Sequence, residues 1–217
     1  MRCRSAASSD QGIPQNRIDS TVVFRVADML PPSARDYSEQ VPHPDPGALA
    51  RAESLIALVP DYPLPGVLFR DIAPLLADAA ALKATIEALL APFDGQFDVV
   101  AGIEARGFLL AGAAAIAAGV GLVPIRKAGK LPRPAAAVDY ALEYATATIE
   151  MHDDIPVGTR VLLIDDVLAT GGTLAAGRDL VQRVGGVVAG IAVLMELETL
   201  GGRAVLDDPD VHAVFRA

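Results

Sequence analysis

The sequence predicts an α/β domain carried behind a separate amino-terminal stretch, on three observations. Val161–Ile164 is a short, continuous apolar run that suits a strand covered on both faces. It runs through Asp165-Asp166 into the small-residue loop Val167–Thr173. Leu174, Leu180, Val181 and Val184 then recur at helical spacing until Gly185-Gly186 stops them. A second buried run, Asp98–Ile103, leads into Glu104-Ala105-Arg106-Gly107, and Gly121–Ile125 and Val187–Leu194 add further strands. Strand–loop–helix units of this kind place their loops at the carboxyl edge of a sheet, where ligands bind in open α/β folds.

Composition narrows the class. The 217 residues are 52% hydrophobic and 21% charged, which fits a soluble globular domain with a full core. A formal charge of −9 argues against a broad nucleic-acid-binding face. The single cysteine, Cys3, excludes an intrachain disulfide and any multi-cysteine metal site, and fits a reducing, cytoplasmic setting. His43, His152 and His212 are far apart, without metal-ligand spacing, and are expected on the surface or in loops. The first twenty residues contain no apolar core of a secretory signal. Phe108–Ile125 is uncharged for eighteen residues, but it is rich in Ala and Gly and broken by Gly119, Gly121 and Pro124. A buried helix followed by a strand is expected there rather than a membrane span.

Residues 1–44 are rich in Ser, Arg, Gln and Pro and hold no period. They are expected to be a disordered extension, or sequence upstream of a working start at Met29 or later. The domain is expected over 45–217. Asp45-Pro46 opens a helix with an N-cap acid and a proline at the first position, and Leu49, Ala52, Ile56 and Val59 would share its apolar face. The prolines of Pro60–Ile72 then impose an extended path that exposes an aromatic residue. Leu82–Leu90 reads as a second amphipathic helix. Gly102 and Gly107 have the glycine spacing of a nucleoside triphosphate P-loop, but Phe108-Leu109 stand where Lys-Ser or Lys-Thr is needed, so that reading fails. Arg126, Lys127, Lys130 and Arg133 form a basic cluster after a strand in an otherwise acidic chain. Pro132–Val138 carries little structure signal and reads as a mobile lid, followed by an alternating strand through Ile149 and Met151.

The chemistry concentrates in the loop after Ile164. Gly171 and Gly172 let backbone N–H groups close on an anion, and a helix starting near Thr173 turns its free N–H groups and positive dipole end to it. Thr170 and Thr173 add hydroxyl donors. Asp165 and Asp166 would repel a phosphate. They are suited instead to accept from vicinal sugar hydroxyls or to hold a divalent cation indirectly. The combination describes a ribose 5-phosphate site.

The strand, the Asp-Asp pair and Ala169-Thr170-Gly171-Gly172-Thr173 resemble the signature of the type I phosphoribosyltransferases, which use phosphoribosyl pyrophosphate (PRPP). Val67-Leu68-Phe69-Arg70 and Leu142-Glu143-Tyr144 further resemble motifs of the adenine phosphoribosyltransferases, and the resemblance runs from about residue 48 to the end. It implies a central, mostly parallel sheet flanked by helices with a small hood, and the reaction adenine plus PRPP to AMP plus pyrophosphate, in purine salvage. It further implies PRPP contacts from Arg106, Arg126, Lys127, Lys130, Asp165, Asp166 and the loop Ala169–Thr173, with a cis peptide at Glu104–Ala105. Leu68, Phe69, Arg70 and Leu197 would hold adenine, with Phe69 on one face of the base and Leu197 opposite. Glu143 would be the general acid/base. Mg²⁺ would arrive on PRPP or pyrophosphate, with no direct protein ligation expected, and the enzyme would be a homodimer acting without nucleic acid or membrane. Ala145 departs from the family, where Gly is usual, and would restrict lid motion. Transfer to another purine, xanthine or hypoxanthine, and a PRPP-sensing regulator on the same fold remain as alternatives.

Overall fold

The computed structural model describes residues 44–141, 146–206 and 211–217. Helix α1 (Pro46–Ser54) starts as the sequence requires, with the Asp45 carboxylate accepting from Gly47 N at 3.0 Å. It ends earlier than the apolar spacing predicts. Ile56 and Val59 do not extend the helix. Ala57–Pro60 is strand β1, paired antiparallel with β2 (Leu68–Asp71), Ala57 opposite Asp71 and Pro60 opposite Leu68. The partner strand decides this, because β-branched and proline residues at 56–60 pair with it more readily than they prolong a helix. This two-stranded sheet is the hood.

After α2 (Ala73–Ala77) and α3 (Ala79–Leu90) come β3 (Val99–Ile103), α4 (Gly107–Ala118) and β4 (Gly121–Lys127). Next are β5 (Ala136–Ala141), β6 (Thr146–Met151), β7 (Arg160–Leu168), α5 (Gly172–Arg183), β8 (Val187–Glu196), α6 (Gly202–Leu206) and β9 (Val211–Arg216). Seven of the described strands form the main sheet in the order β5-β6-β4-β3-β7-β8-β9, parallel from β4 to β9 and antiparallel at the β5–β6 edge.

Alternation along the strands divides the core between the two faces of the sheet. Val100, Leu162, Ile164, Ala192 and Leu194 join Leu89, Leu90 and Leu110 of α3 and α4. Ala101, Ile103, Leu163, Ile191 and Val193 join Leu174, Leu180 and Val181 of α5. Helix α3 is less amphipathic than expected: Ala84–Leu90 is buried throughout, because α1 packs on it as well as the sheet. Conversely, α4 is not fully buried, since Leu109 and Ile116 face outward. No helix among the described residues is long and apolar enough to cross a membrane. His152 lies in a loop, whereas His212 lies on β9, half-buried, with Nε2 3.1 Å from the Ala88 carbonyl oxygen.

The expected lid is a second correction. Within Pro132–Val138, Ala136 to Val138 already belong to β5, with Ala136 opposite Met151 and Val138 opposite Ile149, and Val138 is buried. The Ala-rich segment has weak intrinsic preference, and its structure comes from a partner more than ten residues further on.

Candidate active site

The parallel strands β4, β3, β7 and β8 are neighbours, so their carboxyl ends deliver four segments to one edge of the sheet. In order these are Arg126–Lys130, Glu104–Gly107, Asp165–Thr173 and Glu196-Leu197. The hood adds Leu68–Arg70.

The loop after β7 differs from the sequence expectation in its boundaries. The strand continues through both acids to Leu168, and α5 begins at Gly172 rather than near Thr173. Gly171 is the N-cap, at φ 84°, with no side-chain cap, so the first N–H groups of α5 have no competing side-chain acceptor at that position. Helix α4, after β3, also starts without a side-chain cap, at Arg106. The Glu104–Ala105 peptide is cis, as anticipated.

Asp165 and Asp166 are both buried, each 8% exposed. Asp165 Oδ1 accepts from Asp166 N at 2.9 Å. Burial, and then the adjacent Asp166 charge, push the Asp165 carboxyl well above the usual carboxylate range. Gly107 makes this packing possible: a Cβ there would stand 2.9 Å from Asp165 Oδ1 and 3.0 Å from the Ile164 carbonyl oxygen.

Arg106 connects the parts. Its Nη2 stands 2.6 Å from Asp166 Oδ2, an ion pair without hydrogen-bond alignment. Its Nη1 donates to the Arg70 carbonyl oxygen at 3.2 Å. The guanidinium carbon lies 5.0 Å above the centre of the Phe69 ring, which meets Tyr62 edge-on at 5.1 Å. One side chain therefore spans the hood, the α4 turn and the acid pair.

The basic cluster is organised by a residue that sequence reasoning treated only as half of a cis peptide. Glu104 accepts from Lys127 N at 3.0 Å and from Lys130 Nζ at 3.1 Å, and pairs with Arg126 Nε at 3.4 Å. Burial raises the Glu104 carboxyl, but these donors outweigh it and the net shift is downward. An acid at the carboxyl end of a buried strand, one strand away from a basic run, was the available signal. Among the PRPP residues expected from sequence, Arg126 and Lys130 are thus gathered by Glu104. Lys127 contributes its backbone there and keeps its side chain exposed. Leu197 is partly buried against the core, and its N–H donates to the Leu168 carbonyl oxygen at 2.9 Å, which ties it to the end of β7. Glu143 and Ala145 lie outside the described residues.

Comparison with known proteins decides the family. The phosphoribosyl transferase domain family matches residues 71–214. The adenine phosphoribosyltransferase of Arthrobacter sp. (strain FB24) is 57% identical over 164 residues, covering 75% of this chain and 89% of its own. The chain belongs to the adenine phosphoribosyltransferase family. Two solved structures of the family agree in fold. That of adenine phosphoribosyltransferase from Rhodothermus marinus DSM 4252 has a TM-score of 0.75 at 48% identity, covering 80% of this chain and 100% of that one. The APRTase from Giardia lamblia complexed with 9-deazaadenine has a TM-score of 0.73 at 40% identity, covering 78% and 97%. The family's mostly parallel sheet and its hood are both present here.

Proposed function

We infer that this chain is a purine-salvage enzyme that transfers the phosphoribosyl group of PRPP to adenine, giving AMP and pyrophosphate. The observation that carries this is the 57% identity to an adenine phosphoribosyltransferase across 89% of that relative's length.

The residue roles follow from the transition state the reaction requires. The departing diphosphate leaves an oxocarbenium-like ribosyl group, positive on the sugar, with negative charge growing on the leaving group. The 5′-phosphate is held by Ala169, Thr170, Gly171, Gly172 and Thr173, supported by the uncapped start of α5. Asp165 and Asp166 accept from the ribose hydroxyls, and negative charge on the acid pair also favours the cationic sugar. Arg106, Arg126, Lys127 and Lys130 receive the diphosphate. Leu68, Phe69, Arg70 and Leu197 hold the base, and Glu143 manages the purine proton.

Mg²⁺ fits this arrangement as a passenger of the diphosphate. Two buried acids, Asp165 and Asp166, stand at the same edge of the sheet as the basic cluster. When bound, the ion would neutralise diphosphate charge, and Asp165 and Asp166 would meet it through its water shell.

A homodimer, in the cytoplasm, completes the reading. Ile116 is 85% and Leu109 56% exposed on one helix, a burden that a second copy would relieve.

One experiment tests the function. The purified protein is incubated with PRPP, Mg²⁺ and one base at a time: adenine, hypoxanthine, guanine, xanthine, orotate or uracil. AMP from adenine alone is expected. Another nucleotide would keep the phosphate loop and discard the base assignment, and PRPP binding without any nucleotide would favour a regulator. The same assay with Glu143→Gln should lose about 10²- to 10⁴-fold in turnover with PRPP binding intact. Unchanged turnover would remove Glu143 from the mechanism.

A further inference from the structure

The loop Ala169–Thr173 is held in place by a second segment of the chain. Its backbone is closed from outside by the start of α6. Gly202 is buried, and a Cβ on it would overlap the Ala169 carbonyl oxygen and stand 2.8 Å from Leu168 Cδ1 and 2.9 Å from Gly171 N. The contact is reciprocal, because a Cβ on Gly171 would lie 2.5 Å from the Gly202 carbonyl oxygen and 3.2 Å from its carbon. Gly171 and Gly202, 31 positions apart, thus meet backbone to backbone, with the side chains of Leu168 and Val205 flanking the contact.

A helix of five residues is too short to hold itself. The surrounding contacts explain why α6 is nonetheless formed. Arg203 donates to Glu196 at the end of β8, from Nε at 2.9 and 3.2 Å and from Nη2 at 2.7 Å, and its Nη1 donates to the Val211 carbonyl oxygen at 2.8 Å. At the other end of α6, Arg178 of α5 donates to the Leu206 carbonyl oxygen at 2.8 Å, and Leu206 itself is buried. Arg203 therefore fixes the start of α6 to two strands of the sheet, and Arg178 fixes its end to the helix that follows the phosphate loop. The Arg203 guanidinium holds the Glu196 carboxyl below its usual range, as a fork on a largely buried carboxylate should.

We propose that Gly202 is a positioning residue for PRPP and AMP: together with the Arg203–Glu196 fork it presses α6 against Ala169–Gly171 and sets the backbone geometry with which the loop meets the 5′-phosphate. The proposal rests on the phosphoribosyl transfer reading above. Amide donors must be held within a fraction of an ångström of their productive positions to act on a phosphate. A backbone-to-backbone contact is well suited to this, because it has no rotamer to change.

The test is Gly202→Ala, with Gly201→Ala as its control. Gly201 has φ 67° but open space around its Cβ position, so alanine there strains the same turn without reaching the loop. For Gly202→Ala the PRPP KM should rise about ten- to a hundredfold and AMP binding, by titration calorimetry, should weaken in parallel. Adenine, which has no phosphate, should keep its KM at saturating PRPP. Gly201→Ala should lower Tm and leave the PRPP KM unchanged. A merely structural role for Gly202 would lower Tm and the active fraction but move neither the PRPP KM nor AMP affinity, and that result overturns the proposal. If Gly202→Ala does not fold, Arg203→Lys keeps the charge but loses the fork, and carries the same expectation: a raised PRPP KM supports the brace, an unchanged one overturns it. Absence of AMP formation by the unsubstituted protein would overturn the functional reading itself, which is a separate outcome.

Discussion

Arg106→Ala should lower kcat/KM for PRPP by about 10²- to 10³-fold, the scale seen when a preorganised donor to developing negative charge is removed. The expectation draws on three contacts of one side chain: 2.6 Å to Asp166, 3.2 Å to the Arg70 carbonyl oxygen, and 5.0 Å to the Phe69 ring centre. Alanine removes the cation assigned to the diphosphate. It also leaves the Asp166 carboxylate, 8% exposed, without its countercharge, and uncovers Phe69. Lysine should restore only part of the loss, because an ammonium cannot pair with Asp166, bond the carbonyl and lie over the ring together. Steady-state kinetics with PRPP varied will check this, and a change below about threefold would leave Arg106 with a packing role only.

The second large effect has two opposite signs. Asp165→Asn should reduce kcat/KM for PRPP roughly ten- to a hundredfold, the scale of one hydrogen bond to a charged group. It should also make the protein more stable at neutral pH. Burial and Asp166 raise the Asp165 carboxyl well above its usual range. A raised carboxyl binds its proton more tightly in the folded than in the unfolded state. Its contribution to stability is full below the unfolded pKa and is lost as pH rises through the folded one. Asparagine removes that loss, while its Oδ1 can still accept from Asp166 N as Asp165 does at 2.9 Å. Melting curves of the two proteins should coincide in acid and separate as pH rises, with Asp165→Asn higher by about 2–4 °C for each kcal/mol recovered. A lower Tm for Asp165→Asn at neutral pH would show that the carboxylate is a structural acceptor instead. If both effects are seen, the acid pair is a place where stability is given up for a function.

These two residues also show how far the chain can be read without its fold. Asp165 and Asp166 were legible because everything that defines their setting is local: an apolar run before them, small residues after them, and helical spacing beyond. The hood segment Leu68–Arg70 was legible for a similar reason, since the prolines on its approach forbid a helix whatever the rest of the chain does. The parallel core strands Val99–Ile103, Gly121–Lys127 and Val187–Glu196 announce themselves by short apolar runs, although only the first is buried along its whole length and β4 buries just Val123 and Ile125.

Contacts between segments far apart in sequence arise from the three-dimensional fold alone. Ala57–Pro60 and Ala136–Val138 take strand structure from partners that pair with them later, so neither carries a sufficient signal of its own. Arg106 reaches Arg70 across 36 positions, and Lys130 reaches Glu104 across 26. Gly202 meets the backbone of Ala169 and Gly171 across more than thirty positions. Local sequence points to one edge of the sheet and to the kind of ligand it would suit, because helix starts, glycine loops and apolar strands are set by neighbouring residues. It could not determine which cation answers which carboxylate, or which glycine supports which loop, because those depend on the side-by-side order β4-β3-β7-β8 that brings the segments together.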